Sequence, residues 1–69
     1  MSLSDHEYVN FSQDYELNHH LKEVGKRQTE SNRSELKRMG NELKLILGVT
    51  FLTHKAFRAY INERLNRLE

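Results

Sequence analysis

The 69-residue sequence contains no cysteine and no proline, and it contains only three glycines. Without cysteine the chain can form neither disulfides nor thiolate metal sites, which are two usual sources of extra stability in small proteins. The absence of proline, together with 30% charged residues, favours helices over a β-sheet or long irregular loops. We therefore predict an all-α protein in which association with another chain supplies the missing stability.

Long hydrophobic runs are also missing. No apolar segment approaches the roughly 20 residues of a membrane-spanning helix or resembles the core of a signal peptide. We therefore expect a soluble cytoplasmic protein, and the lack of cysteine fits a reducing compartment. A chain this short buries only about 60% of its extended surface, so we predict one domain over residues 1–69. Residues 1–7 are polar and are expected to be disordered.

Charge is unevenly distributed along the chain. Residues 1–25 carry a net charge of −4, whereas residues 26–69 carry +5, and the whole chain carries +1. The two parts could attract each other within one chain or between two, and such asymmetry is also a weak indication of nucleic-acid binding. Solvated faces of ordinary helices are the simpler interpretation.

Apolar residues recur at helical spacing in three stretches. The pattern predicts helices at about residues 12–24, 32–47 and 54–68. The expected N-cap residues are Asn10 or Ser12, then a residue between Thr29 and Asn32, then Thr53. Gly25 is expected to end the first helix in a left-handed conformation, and Gly48 is expected to end the second. These signals predict a small three-helix domain.

Two features stand apart from the helical pattern. Residues 8–11 form a short apolar segment with two aromatic residues, which we expect to be an extended arm that packs on the helices. Gly40 lies inside the second predicted helix, where glycine costs about 1 kcal/mol relative to alanine. Gly40 indicates either that another helix packs closely at this position or that the glycine has no structural role and is simply tolerated.

The second helix presents a narrow apolar stripe with a charged back, and such a stripe must be covered. The first helix offers mainly Leu17, Leu21 and Val24, which is little to cover two longer helices. We therefore predict a homodimer, most simply about a two-fold axis. The candidate interface residues are Leu36, Met39, Leu43, Ile46, Leu47, Phe57, Ile61 and Leu65. The alternative is that the three stripes close on one another and leave a monomer.

Four histidines suggest a metal site, but their spacing argues against one. Glu16 and His19 have the Glu-x-x-His spacing of di-iron helical bundles, which need a second copy that this chain lacks. His19 and His20 are adjacent and diverge by about 100° on a helix. We predict solvated histidines, no metal and no cofactor. The chain also lacks a nucleophile elbow and a phosphate-binding loop, so we predict no enzymatic activity.

The predicted turn around Gly48 suggests an alternative function. The segment Leu47-Gly48-Val49-Thr50 resembles the turn of a helix-turn-helix DNA-binding unit. His54 and Lys44, however, occupy positions where an apolar and a small residue are expected. In this alternative, the protein is a nucleic-acid-binding protein or small transcriptional regulator whose basic third helix contacts phosphates through Arg58, Arg64 and Arg67, while Lys55 reaches a groove. The preferred function is a protein-interaction module.

The first third of the chain resembles a known family. The residues concerned are Val9-Asn10, Asp14-Tyr15-Glu16-Leu17, Lys22 and Gly25. They follow one another as in the opening of the domain-of-unknown-function family 3606 of short bacterial proteins. The sequence departs from that family at His20, where the family has tryptophan, and in a longer middle helix. The resemblance implies a small helical bacterial protein and supplies no catalytic residues.

Overall fold

The computed structural model describes residues 8–69. It consists of the α-helices α1 (Asp14–Glu23), α2 (Glu30–Leu47) and α3 (His54–Asn62), followed by a 3-10 turn at Leu65–Arg67. Within these residues, β-type pairing is limited to one isolated bridge between Tyr8 and Thr53, and no helix is long and apolar enough to cross a membrane. The all-α prediction is confirmed, whereas the predicted disorder of residues 1–7 lies outside the described residues.

Helix α1 begins two residues later than predicted because the preceding residues form a separate turn. The side-chain oxygen of Asn10 accepts hydrogen bonds from the backbone N–H and the hydroxyl of Ser12, at 3.1 and 2.6 Å. Gln13 occupies the N-cap position without a side-chain capping bond. The backbone N–H of Asn10 donates to Glu16 in the first turn at 2.9 Å. The prediction that Asn10 or Ser12 caps α1 is therefore wrong.

Helix α2 begins at Glu30 because Thr29 is its N-cap. The Thr29 hydroxyl accepts the backbone N–H of Asn32 at 3.1 Å, so the predicted start at Asn32 was two residues late. Asn32 is buried, and its amide donates to the carbonyl of Arg27 at 2.8 Å. Its side-chain oxygen accepts the backbone N–H of Glu69 at 2.9 Å. This one side chain therefore joins the start of α2 to the end of the chain.

Both predicted glycine turns are confirmed. Gly25 and Gly48 have φ values of 74° and 68°, in the left-handed region that glycine adopts without strain. After α1, the N–H of Lys26 donates to the carbonyl of Leu21 at 2.8 Å, the bond that defines a Schellman motif. Each glycine thus ends its helix where the sequence predicts.

Helix α3 begins as predicted but ends earlier. Thr53 caps it by accepting the backbone N–H of Ala56 at 3.1 Å. The helix ends at Asn62, and beyond its end the Arg64 guanidinium lies over the Tyr60 ring at 3.7 Å and donates to the Tyr60 carbonyl at 3.2 Å. The prediction that α3 continues to residue 68 is therefore wrong.

The turn after α3 returns the end of the chain to α2. Leu68 is buried in the core. Arg67 donates from Nε to Glu35 at 2.7 Å, and from its two terminal nitrogens to Glu42 at 2.7 and 3.0 Å. A continuous helix would have carried both side chains further along its own axis, about 1.5 Å per residue. Because of the turn, Leu68 packs into the core and Arg67 pairs with two glutamates of α2.

The core is completed within a single chain. Its buried members are Val9, Leu17, Leu21, Leu36, Met39, Leu43, Leu52, Phe57, Tyr60, Ile61 and Leu68. Five of the eight predicted interface residues are among them, and Leu65 packs partly against them. Helix α1 does not cover α2 and α3 by itself, because Val9, Leu52 and Leu68 complete the core from outside the helices. The few apolar residues of α1 therefore do not by themselves require a second chain. The homodimer itself stays a prediction.

The N-terminal arm, residues 8–11, packs on the helices as predicted. The N–H of Val9 donates to the carbonyl of Leu52 at 2.8 Å. The Phe11 ring lies edge-on to Phe57 with 5.1 Å between ring centroids. A Cβ atom on Gly40 would lie 2.5 Å from Cε1 of Phe11, so Gly40 admits an aromatic ring of the arm rather than another helix.

Candidate functional site

A buried histidine lies between α1 and α3. His20 is fully buried on the same face of α1 as Leu17, and both of its ring nitrogens have partners on α3. Nε of Arg58 donates to Nδ1 of His20 at 3.0 Å. Nε2 of His20 lies 2.9 Å from Nδ1 of His54, and the two rings are inclined by only 19°. The prediction that the histidines are solvated is therefore wrong for His20, although His19 is exposed.

The arginine determines where the protons of both imidazoles lie. A guanidinium only donates hydrogen bonds, so Nδ1 of His20 must accept and the proton of His20 must be on Nε2. That N–H then donates to Nδ1 of His54, which places the proton of neutral His54 on Nε2. We call this arrangement the Arg58–His20–His54 chain. It is a directed series of hydrogen bonds from a permanent cation to a half-buried imidazole.

Carboxylates of α1 lie near both ends of this chain. Nε2 of His54 is 3.7 Å from Oε1 of Glu16, which is longer than a hydrogen bond. The same Glu16 oxygen accepts the N–H of Asn10 in the arm. At the other end, Nη1 of Arg58 is 3.6 Å from Oε1 of Glu23. The arrangement therefore connects α1, α3 and the arm.

Burial keeps His20 uncharged. The pKa of His20 is lowered from 6.5 to about 3, first by burial and then by the positive charges of Arg58, His54 and His19. Burial disfavours the charged form of an imidazole because the protein interior solvates charge poorly. His20 is therefore a neutral structural group at pH 7.

A surface cleft opens beside this chain. It has a volume of about 610 Å³ and is lined by Tyr15, Glu16, His19, His54 and Arg58. Between residues 8 and 69, no three histidine, aspartate or glutamate side chains are arranged to hold a metal ion. A metal ligand must offer a lone pair, whereas the hydrogen-bond order gives His54 an N–H on its free nitrogen. A metal ion could bind Nε2 of His54 only if the hydrogen bonds of the Arg58–His20–His54 chain rearranged.

The second candidate site is an exposed apolar surface at the turn between α2 and α3. We call it the apolar turn surface, and its residues are Leu45, Ile46, Leu47, Val49 and Phe51. Their exposed fractions are 84%, 66%, 52%, 43% and 63%, respectively. Residues 45–53 contain no charged side chain. Exposed apolar side chains that adjoin one another on a protein surface often mark an interface.

The geometry of α2 explains why these side chains are exposed. The buried stripe of this helix ends at Leu43, but α2 continues to Leu47. Three consecutive apolar residues at 45–47 span about 200° of a helix, so they cannot all face one core. The predicted interface residues Ile46 and Leu47 therefore lie on the outside.

An aromatic cleft adjoins the apolar turn surface. It has a volume of about 530 Å³, and its lining includes Tyr8, Phe11, Tyr15, Lys44 and Phe51. The rings of Tyr8 and Phe51 are 5.8 Å apart. Because Phe51 belongs to both features, the cleft and the apolar turn surface are continuous.

The arginines proposed to bind nucleic acid have intramolecular partners. Arg58 contacts His20 and Glu23, and Arg64 lies on the ring of Tyr60. Arg67 is paired with Glu35 and Glu42. Hydrogen bonds from Arg67 and then from Tyr60 lower the pKa of Glu42 to about 2. Lys55 is exposed.

The segment that resembles the turn of a helix-turn-helix unit lies between α2 and α3, where residues 48–53 form a connection longer than the three- or four-residue turn of such units. Gly48 follows α2 directly and adopts the left-handed conformation. His54, which stands where that pattern expects an apolar residue, is half-buried and hydrogen-bonded to His20. The polar residue is therefore accommodated by a polar partner rather than by an apolar core.

Sequence reasoning missed the buried His20 and identified only Ile46 and Leu47 of the apolar turn surface, although each site has a sequence signal. His20 lies three residues after Leu17 and therefore on the buried face of α1. The three consecutive apolar residues at 45–47 exceed the width of the α2 stripe. The contribution of Val49 and Phe51 has no comparable signal, because they lie in a turn without periodicity.

Comparisons with models of known protein families, with curated proteins and with solved structures found no match. The resemblance of residues 9–25 to family 3606 therefore stays a prediction. Function must accordingly be argued from the geometry of the two sites.

Proposed function

We propose that this protein is a helical interaction module that self-associates through the apolar turn surface. The observation that carries the proposal is the exposure of five apolar side chains in one uncharged segment. Fully burying a side chain of this size contributes about 1.5 to 3 kcal/mol. Covering several of them together is therefore a substantial driving force for association.

The charge of this region favours a second copy as the partner. A two-fold interface brings the same surface of both chains together, so a charge close to the axis would face a like charge. Residues 45–53 have none, and the net charge of the chain is only +1. Repulsion between two copies is therefore weak, and the adjoining aromatic cleft offers space for side chains of the partner.

This proposal changes the predicted interface. Ile46 and Leu47 remain in it, whereas Leu36, Met39 and Leu43 are already buried within one chain. Substituting Leu43 by aspartate would unfold the core and would not test the interface. Leu45 is 84% exposed, so the same substitution at Leu45 leaves the core intact.

Sedimentation equilibrium and thermal melting over a range of protein concentrations test the proposal. We expect wild type to exceed the 8.2 kDa mass of one chain and its melting temperature to rise with concentration. Leu45→Asp should be a folded monomer whose melting temperature does not depend on concentration. Ser34→Asp is the matched control, because it adds the same charge at an exposed position of α2. It should behave as wild type.

A wild-type monomer at high micromolar concentration, with a constant melting temperature, would overturn the proposal. Self-association that Leu45→Asp leaves unchanged would place the interface elsewhere and would also contradict it. Binding of wild type to lipid vesicles without self-association would instead identify a membrane surface as the partner.

The alternative, nucleic-acid binding through Lys55, Arg58, Arg64 and Arg67, has weaker support. Three of these four side chains already have intramolecular partners. Phosphate contacts make affinity fall steeply with salt, whereas an apolar interface is much less sensitive. Binding to DNA or RNA that weakens steeply between low and physiological salt would favour this alternative.

A further inference from the structure

Only one protonation state fits the Arg58–His20–His54 chain. We propose that this chain is an acid-released latch, which holds α1 and the N-terminal arm on α3 while both imidazoles are neutral and opens when the pair takes up a proton.

The hydrogen-bond directions leave no place for an additional proton. If His20 gains a proton on Nδ1, two N–H groups face each other across the 3.0 Å contact with Arg58. If His54 gains a proton on Nδ1, two N–H groups face each other across its 2.9 Å contact with His20. Transfer of a proton from one ring to the other does not remove this conflict, because Arg58 can only donate and Nδ1 of His20 must therefore accept. Uptake of a proton therefore breaks one of the two hydrogen bonds that His20 of α1 forms with α3.

The charged groups around the latch belong to α1 and α3. On α1 these are Glu16 near His54, Glu23 near Arg58, and the exposed His19 next to His20. Within residues 8–69, no α2 side chain forms a hydrogen bond or ion pair with the latch. Neither carboxylate forms a hydrogen bond or an ion pair with His20 itself, whose ring nitrogens contact Arg58 and His54. The lowered pKa of His20 agrees with this geometry.

Opening the latch also affects the arm and the aromatic core. Glu16, beside His54, accepts the N–H of Asn10 in the arm. Phe57 packs edge-on against both His20 and Phe11, with centroid distances of 5.2 and 5.1 Å. Separation of α1 from α3 therefore loosens the arm and exposes Phe57. Acid should convert a closed bundle into a form with exposed aromatic surface.

Replacing His20 by glutamine tests the latch. The glutamine carbonyl can accept from Arg58 and its amide can donate to His54, but glutamine cannot take up a proton. We expect wild type to lose the hydrogen-exchange protection of α1 as the pH falls from 6.5 towards 3. In His20→Gln this loss should begin at least about one pH unit lower, which corresponds to a tenfold higher proton concentration. His19→Gln is the matched control, because its exposed side chain is outside the latch, and it should behave as wild type.

Nitrogen-15 shifts of the imidazoles in wild type provide a second measurement that does not depend on any variant folding. We expect neutral His20 and His54 both to carry their protons on Nε2 at pH 7. A proton on Nδ1 of His20, or titration of His20 near 6.5, would overturn the proposal. So would identical acid midpoints for wild type and a folded His20→Gln.

Discussion

At the scale of single residues, the absence of one side chain positions the arm. Gly40 has no Cβ atom, and the Phe11 ring occupies the space where one would lie. The ring is also held by its edge-on contact with Phe57, so it is not free to move aside. A residue that weakens α2 as a helix therefore allows a tertiary contact that stabilises the whole bundle.

Replacing Gly40 by alanine should have opposite effects in two backgrounds. In wild type, overpacking against Phe11 should outweigh the roughly 1 kcal/mol gained in helix propensity, for a net loss of up to about 2 kcal/mol. In a Phe11→Ala background, the same change should stabilise the protein by up to about 1 kcal/mol. Urea unfolding of the four proteins of this cycle measures the difference. Equal effects in the two backgrounds would show that Gly40 does not accommodate the ring.

Thr53 is a second residue with a local role. Its hydroxyl accepts the N–H of Ala56 at the start of α3, so Thr53→Ala should lower the free energy of unfolding by about 0.5 to 2 kcal/mol. Thr50→Ala is the control, because Thr50 is exposed in the preceding turn and does not cap the helix. If the two variants unfold at the same urea concentration, the capping bond contributes nothing to stability.

At the scale of elements, buried polar groups decide how the segments meet. Asn32 joins the start of α2 to the loop at Arg27 and to the backbone of Glu69. His20 joins α1 to α3 in a similar way. Because a buried polar atom without a partner is destabilising, each of these side chains favours one arrangement of its elements over others.

Removing the Asn32 side chain should separate the end of the chain from α2. In Asn32→Ala, the Arg27 carbonyl and the Glu69 N–H lose their partners. We expect the free energy of unfolding to fall by about 1 to 3 kcal/mol, together with loss of hydrogen-exchange protection after Asn62. Asn41→Ala is the control, since Asn41 is exposed on the same helix. Unchanged protection of the final residues would contradict the role assigned to Asn32.

At the scale of the whole molecule, the small core makes the protein sensitive to solution conditions. A chain of 69 residues has little stability to spare. Its surface includes the paired charges around Glu42 and Arg67 and the exposed apolar turn surface. Protons and protein concentration should therefore be the two conditions that change its stability most.

Stability should fall as the solution becomes acidic. The pKa of His20 lies near 3 in the folded protein and near 6.5 when unfolded, so the unfolded chain binds more protons between these values. This difference lowers the free energy of unfolding by at most about 1.4 kcal/mol per pH unit as the pH falls below 6.5. Glu42, whose pKa is lowered from 4.5 to about 2, acts in the same direction below pH 4.5. Urea unfolding at a series of pH values measures both windows.

The region between pH 6.5 and 4.5 distinguishes the two groups. A stability that stays constant over this interval would show that burial of His20 does not link folding to protonation. A fall that begins only below 4.5 would assign acid sensitivity to carboxylates such as Glu42. In His20→Gln, measured in parallel, the fall in the free energy of unfolding between pH 6.5 and 4.5 should disappear, and the fall below pH 4.5 should remain.

The sequence by itself determined the presence of three helices and the glycine turns that end the first two. Apolar spacing, the cap at Thr53 and the glycines at 25 and 48 act within a few residues, so their effects can be recognised without knowledge of distant partners. The narrow stripe of α2 likewise identified Leu36, Met39 and Leu43 as residues that must be buried. It could not show whether they are buried within one chain or between two.

Only the tertiary structure decided how these elements close and what remains exposed. Val9, Leu52 and Leu68 lie outside the helices, and their contribution to the core depends on segments that are distant in sequence. The same holds for His20, because its burial is favourable only when Arg58 and His54 approach from α3. Once these residues complete the core, Leu45 and Phe51 remain outside it. Which apolar residues are available to a partner is therefore a property of the folded chain, because burial depends on long-range contacts and not on local spacing.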